Sequence, residues 1–269
     1  MTHPSKEQML FLKKRKHEKI LITVCRILIF VLFLSLWEIS ATKGWIDSFI
    51  FCSPGIITQT FCDMCKDQSL FTHIGITLWE TIASFFLVVV LGLGTAVVLW
   101  IFPKLSKILE PYLVVLNSLP KSALAPLLIV WLGANQKTII VAGISVAIFG
   151  SIINLYTGFH EVDKDKLKLI ATLRGTKLDA LFKVILPSSV PLIFSVMKVN
   201  VGLCLVGVII GEFIGARQGL GYLIIYGSQV FKLSWVLMSI VILCVIAMVL
   251  YSLINLAEKL YLSKRVSHP

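Results

Sequence analysis

Apolar side chains fill long, nearly uninterrupted stretches of this chain, and shorter polar segments separate them. A helix needs about 20 predominantly apolar residues to cross the hydrocarbon core of a membrane. The stretches that qualify run from Ile20 to Ile39, Gly75 to Phe102, Ile108 to Leu132, Thr138 to Phe159, Ser188 to Gly211 and Trp235 to Ala257. The pattern therefore predicts an all-α integral membrane protein with six transmembrane helices.

Composition supports the same class of protein. Of the 269 residues, 57% are hydrophobic and 14% are charged. Soluble globular domains average about 25% charged residues, so a soluble domain is excluded. The first stretch follows a basic segment, as in a signal peptide, but no small-residue cleavage site comes after it. We interpret it as a retained helix.

Basic residues are concentrated on one side of the six predicted spans. With the N-terminus placed inside, 17 Lys and Arg residues fall in the inner segments and 5 in the outer ones. This asymmetry is typical of multi-pass proteins and predicts that both termini are cytoplasmic. The net charge of +11 thus reflects topology, and we expect no nucleic-acid partner.

The third predicted span is interrupted by Pro111, Pro120 and Pro126 and carries the polar side chains Asn117 and Lys121. Proline removes a backbone donor and bends a helix. Lipid tolerates the freed carbonyls only where protein or a water-filled cavity satisfies them. We therefore expect this helix to face the protein interior.

The inner loop between the fourth and fifth spans, residues 159–186, is long and polar. Its apolar residues recur near helical spacing, which predicts one or two short amphipathic helices around Arg174-Gly175. An exposed helix of this kind binds either anionic lipid or a soluble protein. The acidic residues on its polar face favour a protein.

Several residues in the fifth span have two interpretations. Gly207, Gly211, Gly215 and Gly219 follow a four-residue period, with Gly221 just beyond. Such a stripe indicates close helix packing, within the chain or against a second copy, or else a gating hinge. The polar residues at membrane depth either line a solute path or form ion pairs and snorkel. These path candidates are Asn117, Lys121, Lys198, Asn200 and Glu212. We expect Arg26 and Glu80 to snorkel at span ends.

Motifs for chemistry are missing from the sequence. It has no phosphate-binding GxxxxGK[ST] loop, no HExxH and no GxSxG, so we expect neither enzymatic activity nor a cofactor. Cys62 and Cys65 form one CxxC pair, which is a weak signal for a metal site. A disulfide in this outer loop and ordinary free cysteines both remain open.

Five segments together resemble the membrane subunits of binding-protein-dependent ABC importers. These are Trp37-Glu38, the Ser53-Pro54 turn, the run from Asn117 to Gly133, the loop of residues 159–187, and GEFIGARQGLGYLI from Gly211 to Ile224. The similarity is to the branch that imports nitrate, sulfonates, taurine, and thiamine or riboflavin precursors. It implies a type I ABC importer (MetI-like) transmembrane domain over residues 20–258, between cytoplasmic tails of residues 1–19 and 259–269.

The resemblance also implies function and partners. Residues 159–187 would be the coupling loop that docks on an ATPase subunit, present in two copies. The contact residues would be Leu169, Ala171, Leu173, Arg174, Gly175, Phe182, Leu186 and Pro187. A second permease subunit in a homodimer, a solute-binding protein outside and membrane lipid would complete the assembly in a bacterial plasma membrane. The solute would be a small anion or a vitamin precursor.

The loop departs from the family pattern at two points. The Glu-Ala-Ala of the family falls on Lys168, Leu169 and Ile170, and Arg174 stands where a glycine is usual, with Gly175 following. Two rival functions remain. A self-sufficient secondary transporter or channel would show matched broken helices in two halves, and an intramembrane enzyme would show convergent catalytic side chains. The sequence displays neither feature.

Overall fold

The structure is a computed structural model that describes residues 6–47 and 51–266. The regular elements in those two ranges are helices. In chain order they are α1 (Lys6–Thr42), α2 (Pro54–Lys66), α3 (Ser69–Ile101), α4 (Pro103–Ser118), α5 (Lys121–Leu132), α6 (Gln136–His160), α7 (Lys164–Thr172), α8 (Lys177–Ala180), α9 (Leu186–Gly215), α10 (Leu220–Gln229) and α11 (Leu233–Val266), with a π-helical turn, Leu181–Ile185, between α8 and α9.

Five helical runs in the described ranges are long and apolar enough to cross a membrane. They are Ile20–Thr42, Ser69–Ile101, Gln136–His160, Lys177–Gly215 and Leu233–Ser263. The pair formed by α4 and α5 passes the same test across a bend of 96°, which gives six spans when the pair is counted as one. The predicted all-α membrane fold is confirmed. The chain ends at residues 1–5 and 267–269, parts of the predicted cytoplasmic tails, lie outside the described residues.

The chain divides into two compact units, residues 1–63 and 64–269. In the first unit, α1 leaves its apolar side chains exposed along the predicted span. The Gly55 backbone N–H donates to Glu38 Oε2 at 2.9 Å, so a carboxylate near the end of α1 caps the first turn of α2. The Ile56 N–H donates to Ser53 Oγ at 3.3 Å. Two of the motifs behind the family resemblance, Trp37-Glu38 and Ser53-Pro54, thus meet at one helix start.

The second unit is built around α3, α6 and α9, which pack closely through small residues. A Cβ added to Gly207 of α9 would lie 2.8 Å from Gly143 Cα of α6, and one added to Gly211 would lie 3.2 Å from Ile139 Cα. Such approach to a neighbouring backbone leaves no room for a side chain. For Gly207 and Gly211 the contacts favour packing within the chain. A buried cluster between the three helices comprises Val88, Ala147 and Cys204.

The third predicted span is not one helix. It begins at Pro103 and is divided at Pro120, whereas Pro111 and Pro126 are accommodated inside α4 and α5. Leu119, the residue before Pro120, is extended (φ −62°, ψ 140°) because the proline ring disfavours helical angles there. The expectation that this span faces the interior is wrong for the single chain. α4 and α5, whose residues are all described, bury just Ser106 and Ala125.

The loop ends earlier than the Leu186-Pro187 boundary that the sequence suggested. Helical structure begins at Lys177 and continues through the π-turn into α9. The Leu186 N–H donates to the Leu181 carbonyl, which is the five-residue spacing of a π-turn. Pro187 fits inside the helix start because its missing N–H falls next to this irregular turn. The fifth span therefore extends beyond the predicted Ser188 to Gly211, up to Gly215.

Candidate functional site

The predicted coupling loop folds as two short helices, α7 and α8, joined by a tight turn at Arg174-Gly175. At the start of α7, the Asp165 N–H donates to Asp163 Oδ1 at 2.9 Å. At its end, the Arg174 N–H donates to Ala171 O and the Gly175 N–H to Ile170 O, at 3.0 and 2.9 Å. These two bonds form a Schellman motif, the common way to satisfy the last carbonyls of a helix.

The left-handed residue of this turn is Arg174, with φ +57°, and not the glycine that follows it. Glycine is the usual residue at this position of the motif, and here it comes one residue later. Gly175 is needed for space instead, since an added Cβ would lie 2.5 Å from Ile170 Cγ2 and 3.1 Å from Ile170 O. Arginine in this conformation costs about 1–2 kcal/mol relative to glycine in steric terms.

The second helix of the loop is fixed by a capping box. The Asp179 N–H donates to Thr176 Oγ1 at 3.2 Å, and the Thr176 N–H donates to Asp179 Oδ2 at 2.9 Å. Lys183 Nζ donates to Asp179 Oδ1 at 2.6 Å. These bonds satisfy the first free N–H groups of α8 and set the direction in which the chain enters the long helix.

Apolar side chains of the loop divide into an anchored set and an exposed set. Leu181 and Ile185 are buried in a cluster with Phe159, Leu155 and Ala96. The exposed set is larger, with relative exposures of 59% for Leu169, 70% for Leu173, 55% for Leu178 and 64% for Phe182. We call Leu169, Leu173, Leu178 and Phe182 the loop face. A polar loop that exposes four large apolar side chains is typical of a docking surface.

The eight predicted contact residues do not all share that surface. Leu169, Ala171, Leu173, Arg174, Gly175 and Phe182 are exposed on or beside the two short helices. Leu186 and Pro187 are half-buried at the start of α9. The first six are therefore accessible on the surface, and the last two belong to the first turn of α9.

Two path candidates on α9 are engaged within the chain. Lys198 forms an ion pair with Glu258 of α11, and its Nζ also donates to Asn255 Oδ1 at 3.0 Å. Asn200 is buried, and its Nδ2 donates to Ser151 Oγ of α6 at 2.8 Å. For Lys198 the contacts favour the interhelical ion pair that sequence reasoning left as the alternative. Asn200 holds two core helices together.

The candidates on α4 and α5 are less enclosed. Asn117 is half-buried, with its Oδ1 facing α6, where an added Cβ at Gly150 would lie 3.3 Å away. Lys121 is half-buried at the first position of α5, directly after the bend. A lysine beside a broken helix is placed to meet whatever covers this surface of the chain. Gly215, the next residue of the glycine stripe, approaches Ile129 of α5.

Glu212, the last path candidate, is the centre of a buried polar site at the end of α9. The Thr77 hydroxyl donates to Glu212 Oε1 at 2.7 Å, and the Gly221 N–H donates to Oε2 at 2.5 Å. The Leu220 N–H donates to Thr77 Oγ1 at 2.8 Å. Glu212 thus caps α10 and joins it to α3, and we call Thr77, Glu212, Leu220 and Gly221 the Glu212 cluster.

Close approach around Glu212 explains the glycines after α9. Gly219 has φ +117°, which side chains rarely tolerate, and a Cβ at Gly221 would lie 2.8 Å from Glu212 Oε2. The Gly219 N–H donates to His73 Nδ1 of α3 at 2.9 Å. Both glycines lie beyond the α9 stripe and serve the turn into α10, which the four-residue period alone did not indicate.

Sequence reasoning missed one residue of this site. Glu80 was expected to snorkel at a span end, but it is 1% exposed. Its carboxyl group lies beside the carboxyl group of Glu212 and the side-chain amide of Gln136. It also borders a cavity of about 550 Å³ whose other walls come from Ile76, Ile139 and the segments 134–136 and 215–218. A carboxyl at helical position 12 of an apolar span, well inside its start, was the available signal.

Comparison with known proteins places this geometry in context. The sequence profile described as "Binding-protein-dependent transport system inner membrane component" matches residues 88–268. A probable ABC transporter permease protein of Haemophilus influenzae is 30% identical over 84% of this chain and 91% of the relative. A formylaminopyrimidine transport permease protein of Halalkalibacterium halodurans is 27% identical over 72% and 77%.

A putative aliphatic sulfonates transport permease protein of Bacillus subtilis is 26% identical over 87% of this chain and 85% of its own length. Among solved structures, the inward-facing MetNI methionine ABC transporter matches with a TM-score of 0.65 and 19% identity. That match covers 71% of this chain and 95% of the other. At this identity it shows the fold, which agrees with the type I importer architecture expected from the sequence.

Proposed function

The chain belongs to the binding-protein-dependent transport system inner membrane component family, and we propose that it couples solute passage to ATP hydrolysis by a separate subunit. As an ABC importer permease it provides the membrane-spanning part of such a system. The observation that carries the coupling role is the loop face, four large apolar side chains exposed on two short capped helices and on the turns that follow them. The acidic residues Asp163, Asp165 and Asp179 on the polar side of these helices favour a protein groove over anionic lipid.

The loop geometry supports a mechanical role. Its exposed residues precede a continuous run of helix from Lys177 to Gly215. Because Leu181 and Ile185 are buried against Phe159, a displacement of the loop face is transmitted to α6 and α9 together. Closure of two ATPase subunits on ATP would move these loops, and the packed helices would alternate between two discrete arrangements.

A second copy of this chain is the proposed partner within the membrane. α4 and α5 together form one bent span and leave nearly all of their surface uncovered. Asn117 and Lys121 lie at this bend, where a polar solute path between two copies would place them. The most apolar stretch of α1, which is not buried in the structure, contacts lipid in the same arrangement.

Topology and solute class complete the proposal. We place both termini in the cytoplasm and the chain in a bacterial plasma membrane, because 17 basic residues fall in the predicted inner segments against 5 in the outer ones. A solute-binding protein delivers the solute on the outer side. The relatives named for the transport of aliphatic sulfonates and of formylaminopyrimidine support a small anion or a vitamin precursor as solute.

Labelling and hydrolysis assays test the proposal. In a variant without native cysteines, a cysteine at Arg174 should react only from the cytoplasmic side and one at Arg217 only from outside. The purified chain alone should hydrolyse no ATP, and an affinity-tagged chain should retain a Walker-type ATPase from its native membrane. Outside labelling at Arg174, or hydrolysis by the isolated chain, would contradict the proposed coupling role.

A further inference from the structure

Two acidic side chains lie side by side in the interior of the second unit. Glu80 on α3 and Glu212 on α9 are 1% and 0% exposed, and their carboxyl groups are within bonding reach of each other. Two adjacent buried carboxylates repel strongly and lose their hydration, so they cannot both be ionised without a compensating charge. We propose that the pair binds one proton, carried by Glu80, and that this proton holds α3 and α10 together through Glu212.

The hydrogen bonds assign the negative charge to Glu212. Its carboxylate accepts from the Thr77 hydroxyl and from the Gly221 backbone N–H, one donor on each oxygen, and donors of this kind favour the ionised form. Glu80 has a weaker donor set, in which the Gln136 amide lies beside the carboxyl. Its Oε2 is buried and has no hydrogen-bond partner among the described residues, which would leave a charge there unsupported. The proton therefore belongs on Glu80.

Neighbouring cations do not replace the proton. His73 accepts the Gly219 N–H at Nδ1, which an imidazolium could not do. Arg217 is exposed at the rim of the cavity, and within residues 51–266 as the structure describes them it forms no ion pair with either carboxyl. Tyr222, whose ring stacks on His73, contributes no positive charge. Among the described residues, these three ionisable side chains lie near the pair, and none of them provides a positive counter-charge.

A metal cation also fits poorly. Hard cations need six or more oxygen ligands. Both Glu212 oxygens already accept hydrogen bonds, and Thr77 Oγ1 accepts the Leu220 N–H. No group of three or more His, Cys, Asp or Glu side chains is placed for a metal in the part of the chain that the structure describes.

The cavity beside Glu80 provides the route for the proton. It holds about 550 Å³, and polar residues line it, among them Asn135, Gln136 and Gln218. A polar space of this size admits water molecules. Glu80 and the exposed Gln136 side chain both line this space, so the Glu80 carboxyl is next to it. The proton would exchange with water on this side.

Infrared difference spectroscopy tests the proposal directly. A protonated carboxyl has a C=O stretching band that carboxylates lack. In lipid nanodiscs at neutral pH, the wild-type chain should show such a band, and it should vanish in Glu80→Gln but remain in Glu110→Gln, a change of an exposed carboxylate. A wild type without the band, or a band that persists in Glu80→Gln and disappears in Glu212→Gln, would overturn the assignment. If Glu80→Gln does not fold, alkaline titration of the wild type decides, since the band must disappear as the proton is lost.

A charge replacement separates proton binding from cation binding. Glu80→Arg supplies a permanent counter-charge, so thermal unfolding of this variant should no longer depend on alkaline pH, whereas the wild type should lose stability there. Replacing Na⁺ and K⁺ with a bulky organic cation at constant neutral pH should leave the wild type unchanged. A loss of wild-type stability on that replacement would show that a metal ion binds, and would overturn the proton proposal.

Discussion

The loop and the Glu212 cluster both depart from the usual rule that apolar side chains are buried and polar ones exposed, and they do so in opposite ways. The loop face exposes apolar side chains on helices that are otherwise polar. The Glu212 cluster buries a carboxylate and a hydroxyl among apolar spans. The first arrangement contributes little to the stability of the single chain, whereas the second is costly unless every group is satisfied. Substitutions should therefore affect docking in one region and stability in the other.

Thr77→Val should produce the largest effect on stability. It keeps the shape of the side chain but removes the donor to Glu212 and the acceptor for the Leu220 N–H. Leaving buried groups unpaired should cost about 2 kcal/mol or more. Thermal unfolding in detergent, followed through tryptophan fluorescence, should show a clearly lower midpoint.

The matched change in the loop is Thr172→Val. Thr172 is exposed, and its hydroxyl bonds locally to Lys168 O at 2.9 Å. Water replaces that bond, so the midpoint should stay close to wild type. Equal midpoints for Thr77→Val and Thr172→Val would mean that the Glu212 cluster does not stabilise the fold.

Gly207→Ala should have the next largest effect, and Gly175→Ala a smaller one. At Gly207 the new methyl group would lie 2.8 Å from Gly143 Cα and 2.9 Å from Ala142 O, and neither backbone atom can move freely. Overpacking of this kind costs about 1–3 kcal/mol. At Gly175 the nearest atom is a side-chain methyl of Ile170 on an exposed loop, which can adjust.

The unfolding midpoints of these two variants measure the difference, and Gly202→Ala is the control on α9. An added Cβ at Gly202 meets no atom within 4 Å. Its midpoint should match or exceed that of the wild type. A fall as large as that of Gly207→Ala would attribute the effect to helix conformation and not to contact with α6.

Leu173→Ala should leave the stability of the chain unchanged and weaken its coupling to the ATPase subunit, the opposite of what is expected for the buried positions. Leu173 is 70% exposed, so its truncation removes few contacts within the chain. At a protein interface such an apolar anchor contributes about 1–2 kcal/mol, and about 1.4 kcal/mol corresponds to a tenfold change in affinity. Retention of the ATPase subunit and ATP-driven uptake should both fall.

The control for that variant is Leu253→Ala on α11, which truncates an equally large, exposed side chain on a predicted span. Coupling should remain normal there. If Leu173→Ala unfolds more readily than the wild type while retaining the ATPase subunit, the loop face is part of the fold and not a docking surface.

The sequence predicted those features that depend on local pattern. The apolar periodicity located the spans, and the spacing around residues 167–182 indicated short amphipathic helices, which the structure describes as α7 and α8. An interruption of the third span by proline was likewise visible, because proline acts on its own neighbours. The sequence did not show which proline divides the span. Pro111 and Pro126 are tolerated inside helices, where other groups can satisfy the carbonyls that each proline leaves free.

Contacts between distant residues could not be predicted in the same way. Thr77 and Glu212 are 135 positions apart, and no periodicity relates them. Glu80 looked like a side chain near a span end because its partner was unknown. The conformation of Arg174 also escaped prediction, since glycine is the expected left-handed residue and one was present at the next position. Long-range pairing and departures from common turn chemistry are therefore where the structure added most.

Arg174→Gly should give the smallest effect on stability, and the effect should be confined to the turn at Arg174-Gly175. Relief of the left-handed strain at φ +57° stabilises the Schellman motif, and the greater chain entropy of glycine offsets part of the gain. We expect a net change of about 1 kcal/mol or less, which slows exchange of the Gly175 amide hydrogen, bonded to Ile170 O, by about fivefold at most. Arg174→Ala removes the same side chain without relieving the strain, so it should not slow this exchange. If both variants slow exchange equally, the arginine side chain and not its backbone angle limits the turn.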